Sequence, residues 1–238
     1  MKGFAEVVRS DVVVQVRNGF YWASAFVVLF LCALLTTLPA NVFSTPALSV
    51  PALVAFNLQL TTFFFVAGLL LLEKDEGTLT ALGASPLSAR QYLLARTTTL
   101  TTLATLETLV LIWFGFGLPA SWALFAGTVA MGITYTAFGI AVAARYESVN
   151  SFLMPASVVV TVLLLPLIGH FGFSPRLLLA WHPMAPALTL MRSAYEPTPL
   201  RELLFGIIGS AAWAIAIFRL AENAVERLMR NTRATGGR

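Results

Sequence analysis

The feature that most constrains this chain is a series of long, unbroken apolar segments. A helix needs about 20 apolar residues to cross the hydrocarbon core of a bilayer. Lipid offers no hydrogen bonds to the backbone, so only helices or closed barrels span it, and barrel strands alternate apolar with polar residues over about 10 residues. The continuous runs therefore predict an all-α polytopic membrane protein with six transmembrane helices, at about 20–38, 52–72, 92–117, 121–144, 151–170 and 203–220.

The composition excludes a soluble protein of this length. Hydrophobic residues make up 58% of the chain and charged residues only 11%, with a mean hydropathy of +0.83. A soluble domain carries roughly 25% charged residues. A chain with so few charges could not cover a water-facing surface. Its net charge of +4 is therefore interpreted as a sign of how the protein is oriented in the membrane, and not as a sign of nucleic-acid binding.

The distribution of basic residues predicts that orientation. Six spans place both termini on one side, and all but three of the 15 Lys and Arg residues fall on that side; the exceptions are Arg176, Arg192 and Arg201. Basic residues accumulate on the cytoplasmic side of membrane proteins. We therefore expect cytoplasmic termini, a cytoplasmic tail at 221–238, and a multi-pass protein of a bacterial plasma (inner) membrane.

Two segments outside the spans are less regular. Residues 1–19 predict an interfacial amphipathic helix, although Asp11 and Gln15 interrupt its apolar side; a frayed cytosolic segment is the alternative. The stretch 171–202 is rich in proline and still apolar. Short re-entrant helices packed on protein before the sixth span, or a cap on the outer membrane surface, both fit this pattern.

The inventory of reactive residues argues against an enzyme. The chain has two histidines and one cysteine, Cys32, and it has neither an HExxH motif nor a G-x-x-x-x-G-K-[ST] phosphate-binding loop. We expect this chain to bind no metal and no cofactor.

The segment 73–91, EKDEGTLTALGASPLSARQ, carries the most information about function. Gly77 is expected to bend the chain after the second span, and Thr78 to cap a short helix that begins at Leu79 and ends before Pro86. A short helix parallel to the membrane could receive force from a soluble partner. A plain connecting loop is the alternative.

This segment resembles the signature of the type 2 permeases of ATP-binding cassette (ABC) exporters. The matching residues are Glu73, Glu76, Gly77, Thr78, Leu79, Leu82, Pro86 and Leu87. The family often has Glu where Thr80 stands and Lys where Arg96 stands. The layout of an amphipathic start, six spans and a re-entrant stretch is also similar, and the opening RSDVVVQVRNGFYWASAFV looks most like drug or fluoroquinolone export permeases.

The resemblance implies a single permease domain over 1–238 that pairs with a second permease subunit, identical or related, in the membrane lipid. A separate ATPase would hold the ATP and Mg²⁺ and would dock on Glu73, Glu76, Gly77, Thr78, Leu79, Leu82 and Pro86. It also implies that the second and fifth spans line the substrate path. The candidate path residues there are Asn57, Gln59, Phe64, Met154, Ser157 and Thr161. Hydrogen bonding between helices is the alternative role for the polar ones.

Glu107 is the one acid expected in the middle of a span. A charged side chain there costs a few kcal/mol, so Glu107 is expected to face protein or a water-filled path. It is either a structural group bonded to a neighbouring span or a contact for a cationic group of the substrate.

These residues together predict the permease subunit of an ABC exporter that moves a lipophilic or amphiphilic substrate, such as a drug, out of the cell. An ion-gradient-driven transporter or channel is one alternative, although it would be expected to carry several intramembrane acids. A membrane assembly factor that transports nothing is the other.

Overall fold

The computed structural model describes residues 3–37, 45–79, 87–117, 121–173 and 179–235. Six helices in these ranges are long and apolar enough to cross a membrane, which confirms the predicted six-span helical fold. Helix α1 (Phe4–Arg17) comes first. The following helices are α2 (Phe20–Thr37), α3 (Pro46–Asp75), α4 (Ala89–Phe116), α5 (Trp122–Ala143), α6 (Val149–Leu164), α7 (Pro166–His170), α8 (Ala185–Arg192) and α9 (Leu200–Thr235). The six spans are α2, α3, α4, α5, the consecutive pair α6 and α7 (Val149–His170), and α9.

Two helices, α3 and α9, extend furthest beyond their predicted spans. Helix α3 begins at Pro46 and not near residue 52, because proline is well suited to the first position of a helix, where no N–H is needed. Helix α9 continues past residue 220 to Thr235. The residues there, such as Ala221, Glu222 and Leu228, are good helix formers, so the sixth span and the basic tail share one continuous helix.

Helix α5 lies at the centre of the bundle and packs against α3, α4, α8 and α9. Glycines on α5 allow three of these close approaches. A methyl group added at Gly139 would lie 2.8 Å from the carbonyl oxygen of Phe63 on α3, and one at Gly132 would lie 2.9 Å from a methyl group of Thr101 on α4. Small residues let helix backbones come together in this way, where lipid supplies no hydrophobic drive.

The packing at Gly139 gives a testable expectation. Gly139→Ala should lower the melting temperature of the purified protein by several degrees, since overpacking costs roughly 1–3 kcal/mol. Gly68→Ala on α3 is the matched control, because its added methyl would lie 3.7 Å from the Phe20 ring, an ordinary contact. Equal melting temperatures for the two variants would show that α3 and α5 are not this close.

Helix α8 packs inside the bundle, between α5 and α9. Added methyl groups at Gly127 of α5 and Gly206 of α9 would clash with Met191 and Leu190 of α8. Five of its eight residues are buried: Pro186, Ala187, Leu188, Leu190 and Met191. The described part of the stretch 171–202 is therefore packed on protein, as a re-entrant helix requires, and its depth in the bilayer stays a prediction.

Both histidines are buried and bonded to the backbone near this outer segment. His170 Nε2 lies 2.9 Å from the carbonyl oxygen of Leu48, and His182 Nδ1 accepts from the N–H of Met184 at 3.2 Å. Burial lowers the pKa of His182 below its usual range, so its ring is neutral at pH 7. The His170 contact joins the end of α7 to the start of α3, and the His182 bond stabilises a local turn, so both have the contacts of structural groups.

Candidate functional site

A buried cluster of charges joins three helices at the base of the 73–91 segment. The guanidinium group of Arg96 on α4 is 2% exposed and lies between two carboxylates. Its Nε is 3.0 Å from Asp11 Oδ1 on α1, and its Nη2 binds Glu73 Oε1 near the end of α3. The planar guanidinium group has donors on several sides, so one arginine reaches both partners.

Neutral donors complete the shell of both carboxylates. The hydroxyl of Tyr92 donates to Glu73 Oε2 at 2.6 Å. The amide of Gln15 donates to Asp11 at 2.7 Å and to the hydroxyl of Thr99 at 2.8 Å, and that hydroxyl donates to Asp11. Two carboxylates and one guanidinium leave one excess negative charge, which these donors stabilise. The cluster therefore fixes α1 and α4 to the end of α3.

The next residue, Lys74, fixes the end of α3 to a different neighbour. Its Nζ donates to the carbonyl oxygens of Ala144, at 3.0 Å, and Tyr146, both just past the end of α5. Carbonyl groups at a helix C-terminus carry partial negative charge, so a cation is favourable there. Only 8% of the Lys74 side chain is exposed, and Glu147 lies 4.0 Å away.

The contacts of Glu73 and those of Lys74 are two anchors that attach the end of α3 to its neighbours. After them the chain makes an exposed turn. Gly77 has φ +69°, a backbone conformation that favours glycine, and Glu76 and Gly77 are exposed. The hydroxyl of Thr78 donates to the carbonyl of Glu73 at 3.0 Å, so it closes the preceding helix. Leu79 is 4% exposed. Leu82 and Pro86 lie outside the described residues.

The predicted docking residues thus differ in accessibility. Glu73 is buried and bonded to Arg96 and Tyr92, so in this conformation its carboxylate is occupied within the chain. Glu76, at the exposed turn, is 3.9 Å from Arg17 of α1. Among the described residues, Glu76 and Gly77 form an exposed turn directly after Glu73 and Lys74, whose side chains attach the end of α3 to its neighbours.

Glu107 lies in a second polar cluster in the middle of α4. Its carboxylate accepts from the hydroxyl of Ser24 on α2, and from the amide of Asn57 at 3.1 Å and the hydroxyl of Thr61 at 2.6 Å, both on α3. Glu107 is 4% exposed. It therefore faces protein, with three donors from two neighbouring helices around it.

A π-helical turn, Gln59–Phe64, interrupts α3 beside Glu107. Such turns insert an extra residue into an α-helix and often occur at functional sites. Here the turn carries Thr61 to Glu107, presents the Phe63 carbonyl to Gly139, and sends the amide of Gln59 to the carbonyl of Val160 on α6 at 3.4 Å. The turn therefore contacts α4, α5 and α6.

The residues predicted to line the substrate path fall into two separate groups, one inside the bundle and one on its outer surface. Asn57, Gln59 and Glu107 are buried, and Phe64 is partly buried. Met154, at 83% exposure, lies with Ser157 and Thr161 on an outward face of α6. The last two hydroxyls bond to carbonyls of their own helix, at 3.0 and 2.8 Å, which helical Ser and Thr can do in lipid. Within one subunit these residues form no common lining.

The contacts of Glu107 separate its two interpretations by experiment. Glu107→Gln keeps the size of the side chain and hydrogen bonds to Ser24 and Thr61, so we expect a small change in melting temperature. Glu107→Leu leaves three buried groups without their partner, each costing roughly 1–3 kcal/mol, and should lower the melting temperature far more. Transport of cationic and neutral substrates should be equal in Glu107→Gln. A selective loss of cationic substrates would instead establish a substrate contact.

The partners of Arg96 are the part of this site that sequence reasoning missed. Asp11 and Gln15 stand one helical turn apart on the otherwise apolar side of α1, and they form its buried face against α4. The signal was present, since an arginine inside a predicted span needs an acidic partner. Lys74 carried no comparable signal, because its partners are backbone carbonyls.

The six apolar helices define a polytopic membrane protein. The Fluoroquinolones export permease protein family matches residues 2–232, so the chain belongs to that family and is a membrane export permease. Two relatives, each described as a fluoroquinolones export permease protein, come from Mycobacterium tuberculosis strains CDC 1551 / Oshkosh and ATCC 25618 / H37Rv. Each is 27% identical over 206 residues, which cover 84% of this chain and 84% of the relative.

Proposed function

We propose that this chain is the membrane subunit of an ABC exporter and that a separate ATPase drives it. The observation that supports this most is the exposed turn at Glu76 and Gly77, set on two buried anchors. A connecting loop needs no such fixing. A segment that passes force from a soluble partner to the helices needs rigid attachment to them.

The two anchors give the force two routes into the bundle. Movement of the turn would be passed through Glu73 to Arg96 and so to α1 and α4. It would also be passed through Lys74 to the end of α5, the central helix. Closure of two ATPase subunits would in this way tilt most of the helices together, as alternation between inward-facing and outward-facing states requires.

The exposed face of α6 supports pairing with a second permease subunit. Met154, Ser157 and Thr161 lie on this face at helical spacing, and α6 makes few contacts within the subunit. We propose that the face lines the substrate path between two subunits, identical or related. The two groups of predicted path residues would then act separately, with the Asn57 and Glu107 cluster holding the helices.

The proposed substrate is a lipophilic or amphiphilic drug of the fluoroquinolone kind. The names of the two relatives and the family support this choice. The proposed orientation places both termini in the cytoplasm, which puts the turn at Gly77 on the side where ATP is available. The ATP and Mg²⁺ are assigned to the partner, because the sequence contains no phosphate-binding loop.

Drug accumulation in cells tests the proposal. Cells that express this chain together with a partner ABC ATPase should hold less ciprofloxacin than cells that express either subunit alone. An ATPase with its phosphate-binding lysine replaced by alanine is the control and should restore accumulation. Equal accumulation in all of these cells, with both subunits present in the membrane, would contradict the proposal.

A further inference from the structure

A cavity of about 340 Å³ lies between α1, the end of α3 and the start of α4. Its size falls within the range of about 300–1,000 Å³ that is typical of ligand-binding pockets. Most of its wall is apolar, and Asp11, Glu73 and Arg96 also line it. The charge cluster that joins these three helices therefore borders a space large enough for a ligand.

The cavity lies at the end of the apolar part of α3, where lipid head groups would meet the protein. This apolar part ends at Leu72, and Glu73 follows directly. Leu69 and Leu72 form part of the cavity wall, together with Val7 and Val14 of α1. Apolar walls beside charged groups are expected at the boundary between the hydrocarbon core and the head groups. An amphiphile from the adjoining leaflet matches this combination.

The buried charges of the cavity favour a cation. Asp11, Glu73 and Arg96 leave one excess negative charge, and their side chains are only 7%, 9% and 2% exposed. The neutral donors around the two carboxylates stabilise this charge but do not cancel it. A buried charge without a counter-charge is costly. A cationic group in the cavity would supply the missing counter-charge and would be stabilised there.

Glu73 also keeps free capacity to accept hydrogen bonds. An ionised carboxylate offers about four acceptor positions. Among the described residues, Glu73 uses two of them, for Arg96 and for the hydroxyl of Tyr92. A primary ammonium group has three N–H donors and can use the remaining positions, whereas a quaternary ammonium group has no donor. The carboxylate therefore favours a primary amine over a choline group.

An exposed arginine that lines the same cavity supplies the opposite charge. The side chain of Arg17 is 67% exposed, and its Nη2 lies 3.9 Å from the carboxylate of Glu76. Exposed ion pairs of this kind contribute little, so an incoming anion can replace Glu76 as the partner of Arg17. A ligand with an ammonium group and a nearby phosphate would match both the buried acids and this arginine.

We infer that this cavity binds the head group of an aminophospholipid, such as phosphatidylethanolamine, from the adjoining leaflet. The ammonium group would bond to Glu73 and lie near Asp11, and the phosphate would bind Arg17. The glycerol backbone would lie along Val14 and Leu72. The lipid would then join α1 to the end of α3 beside the exposed turn. Such binding needs neither ATP nor a transported substrate, so it is separate from the proposed export function.

Native mass spectrometry of the purified permease tests the inference. The protein is released from nanodiscs that contain equal amounts of phosphatidylethanolamine, phosphatidylcholine and phosphatidylglycerol. The retained lipid should be enriched about tenfold in phosphatidylethanolamine over phosphatidylcholine, as expected for a charge-assisted hydrogen bond that choline cannot make. Equal retention of these two lipids would overturn the inference. So would preferential retention of phosphatidylglycerol, because a phosphate without an ammonium group would then be sufficient.

A cavity-filling variant and a matched control locate the site. Val14→Phe places a larger side chain in the cavity and leaves every charge in place, so the enrichment in phosphatidylethanolamine should be lost. Val13→Phe makes the same change on the outward side of α1, where Val13 is 57% exposed, and should keep the enrichment. Arg17→Gln, at an exposed position that does not endanger folding, should lower the enrichment severalfold. Enrichment that survives both Val14→Phe and Arg17→Gln would overturn the inference.

Competition with ethanolamine shows whether a lipid or a soluble amine is the source of the ammonium group. Ethanolamine has the primary amine but neither the phosphate nor the acyl chains. When it is added to the permease in nanodiscs, the retained phosphatidylethanolamine should remain bound, because the bilayer holds the lipid next to the cavity. Displacement of the lipid by ethanolamine in an intact bilayer would assign the cavity to a soluble amine and would overturn the lipid site.

Discussion

Arg96→Leu is expected to lower the melting temperature of the purified protein by about 10 °C, the largest effect of any single change described for this chain. Removing one partner from a buried ion pair costs roughly 3–5 kcal/mol, because the remaining charge stays buried without compensation. Here two carboxylates, Asp11 and Glu73, would lose their common cation. Arg96→Lys should lie between leucine and wild type, since an ammonium group does not fork towards two partners.

Two further variants test whether the charge cluster is the cause. Neutralising all three groups, with Asp11→Asn, Glu73→Gln and Arg96→Met, should recover most of the lost stability, because no buried charge is left unpaired. Arg9→Leu, at an exposed position of α1, should leave the melting temperature unchanged. A triple variant as unstable as Arg96→Leu would mean that packing of the arginine side chain matters and its charge does not.

Gly77→Val is expected to abolish ATP-driven export while the protein still inserts and the ATPase still hydrolyses ATP. Gly77 has φ +69°, where a β-branched residue is strained, so valine would redirect the exposed turn. The two anchors before it, Glu73 and Lys74, would keep their contacts. The bundle should therefore fold normally, with its melting temperature close to that of wild type.

A glycine on the other side of the bundle provides the matched control for this variant. Gly172, after α7, has φ +83° and, like Gly77, has no neighbouring atom within 4 Å of an added methyl group. Gly172→Val introduces the same backbone strain at a distance from the turn and should export normally. Wild-type export by Gly77→Val would show that the turn is only a linker, and loss of export in both variants would assign the effect to strain in general.

The fold of this chain could be predicted from hydropathy because the bilayer leaves few alternatives. Apolar runs of bilayer length must be helices, so the six spans followed from the sequence directly. Helix ends did not, because local capping decides them: Pro46 starts α3 early, and the helix-forming tail prolongs α9.

The interior of the site could be predicted only in part. An acid in the middle of a span is expected to face protein or a water-filled path, and Glu107 faces protein. The hydrogen-bond partners of Glu107 could not be predicted. They depend on how each helix is rotated about its axis and on the π-helical turn Gln59–Phe64, and the sequence has no clear pattern that predicts either of them. In the sequence, Asp11 only interrupts the apolar side of an amphipathic helix. Its ion pair with Arg96 could not be predicted, because only the fold brings residues 11, 73 and 96 together.

Reconstitution tests the central claim most directly. This permease and its ATPase are placed together in proteoliposomes, with the ATPase facing outwards, and ciprofloxacin uptake is measured with ATP or with a proton gradient alone. We predict uptake that requires ATP hydrolysis and is absent when the phosphate-binding lysine of the ATPase is replaced. Uptake driven by the proton gradient without ATP would identify a secondary transporter, and no uptake despite ATP hydrolysis by the assembled complex would contradict the exporter.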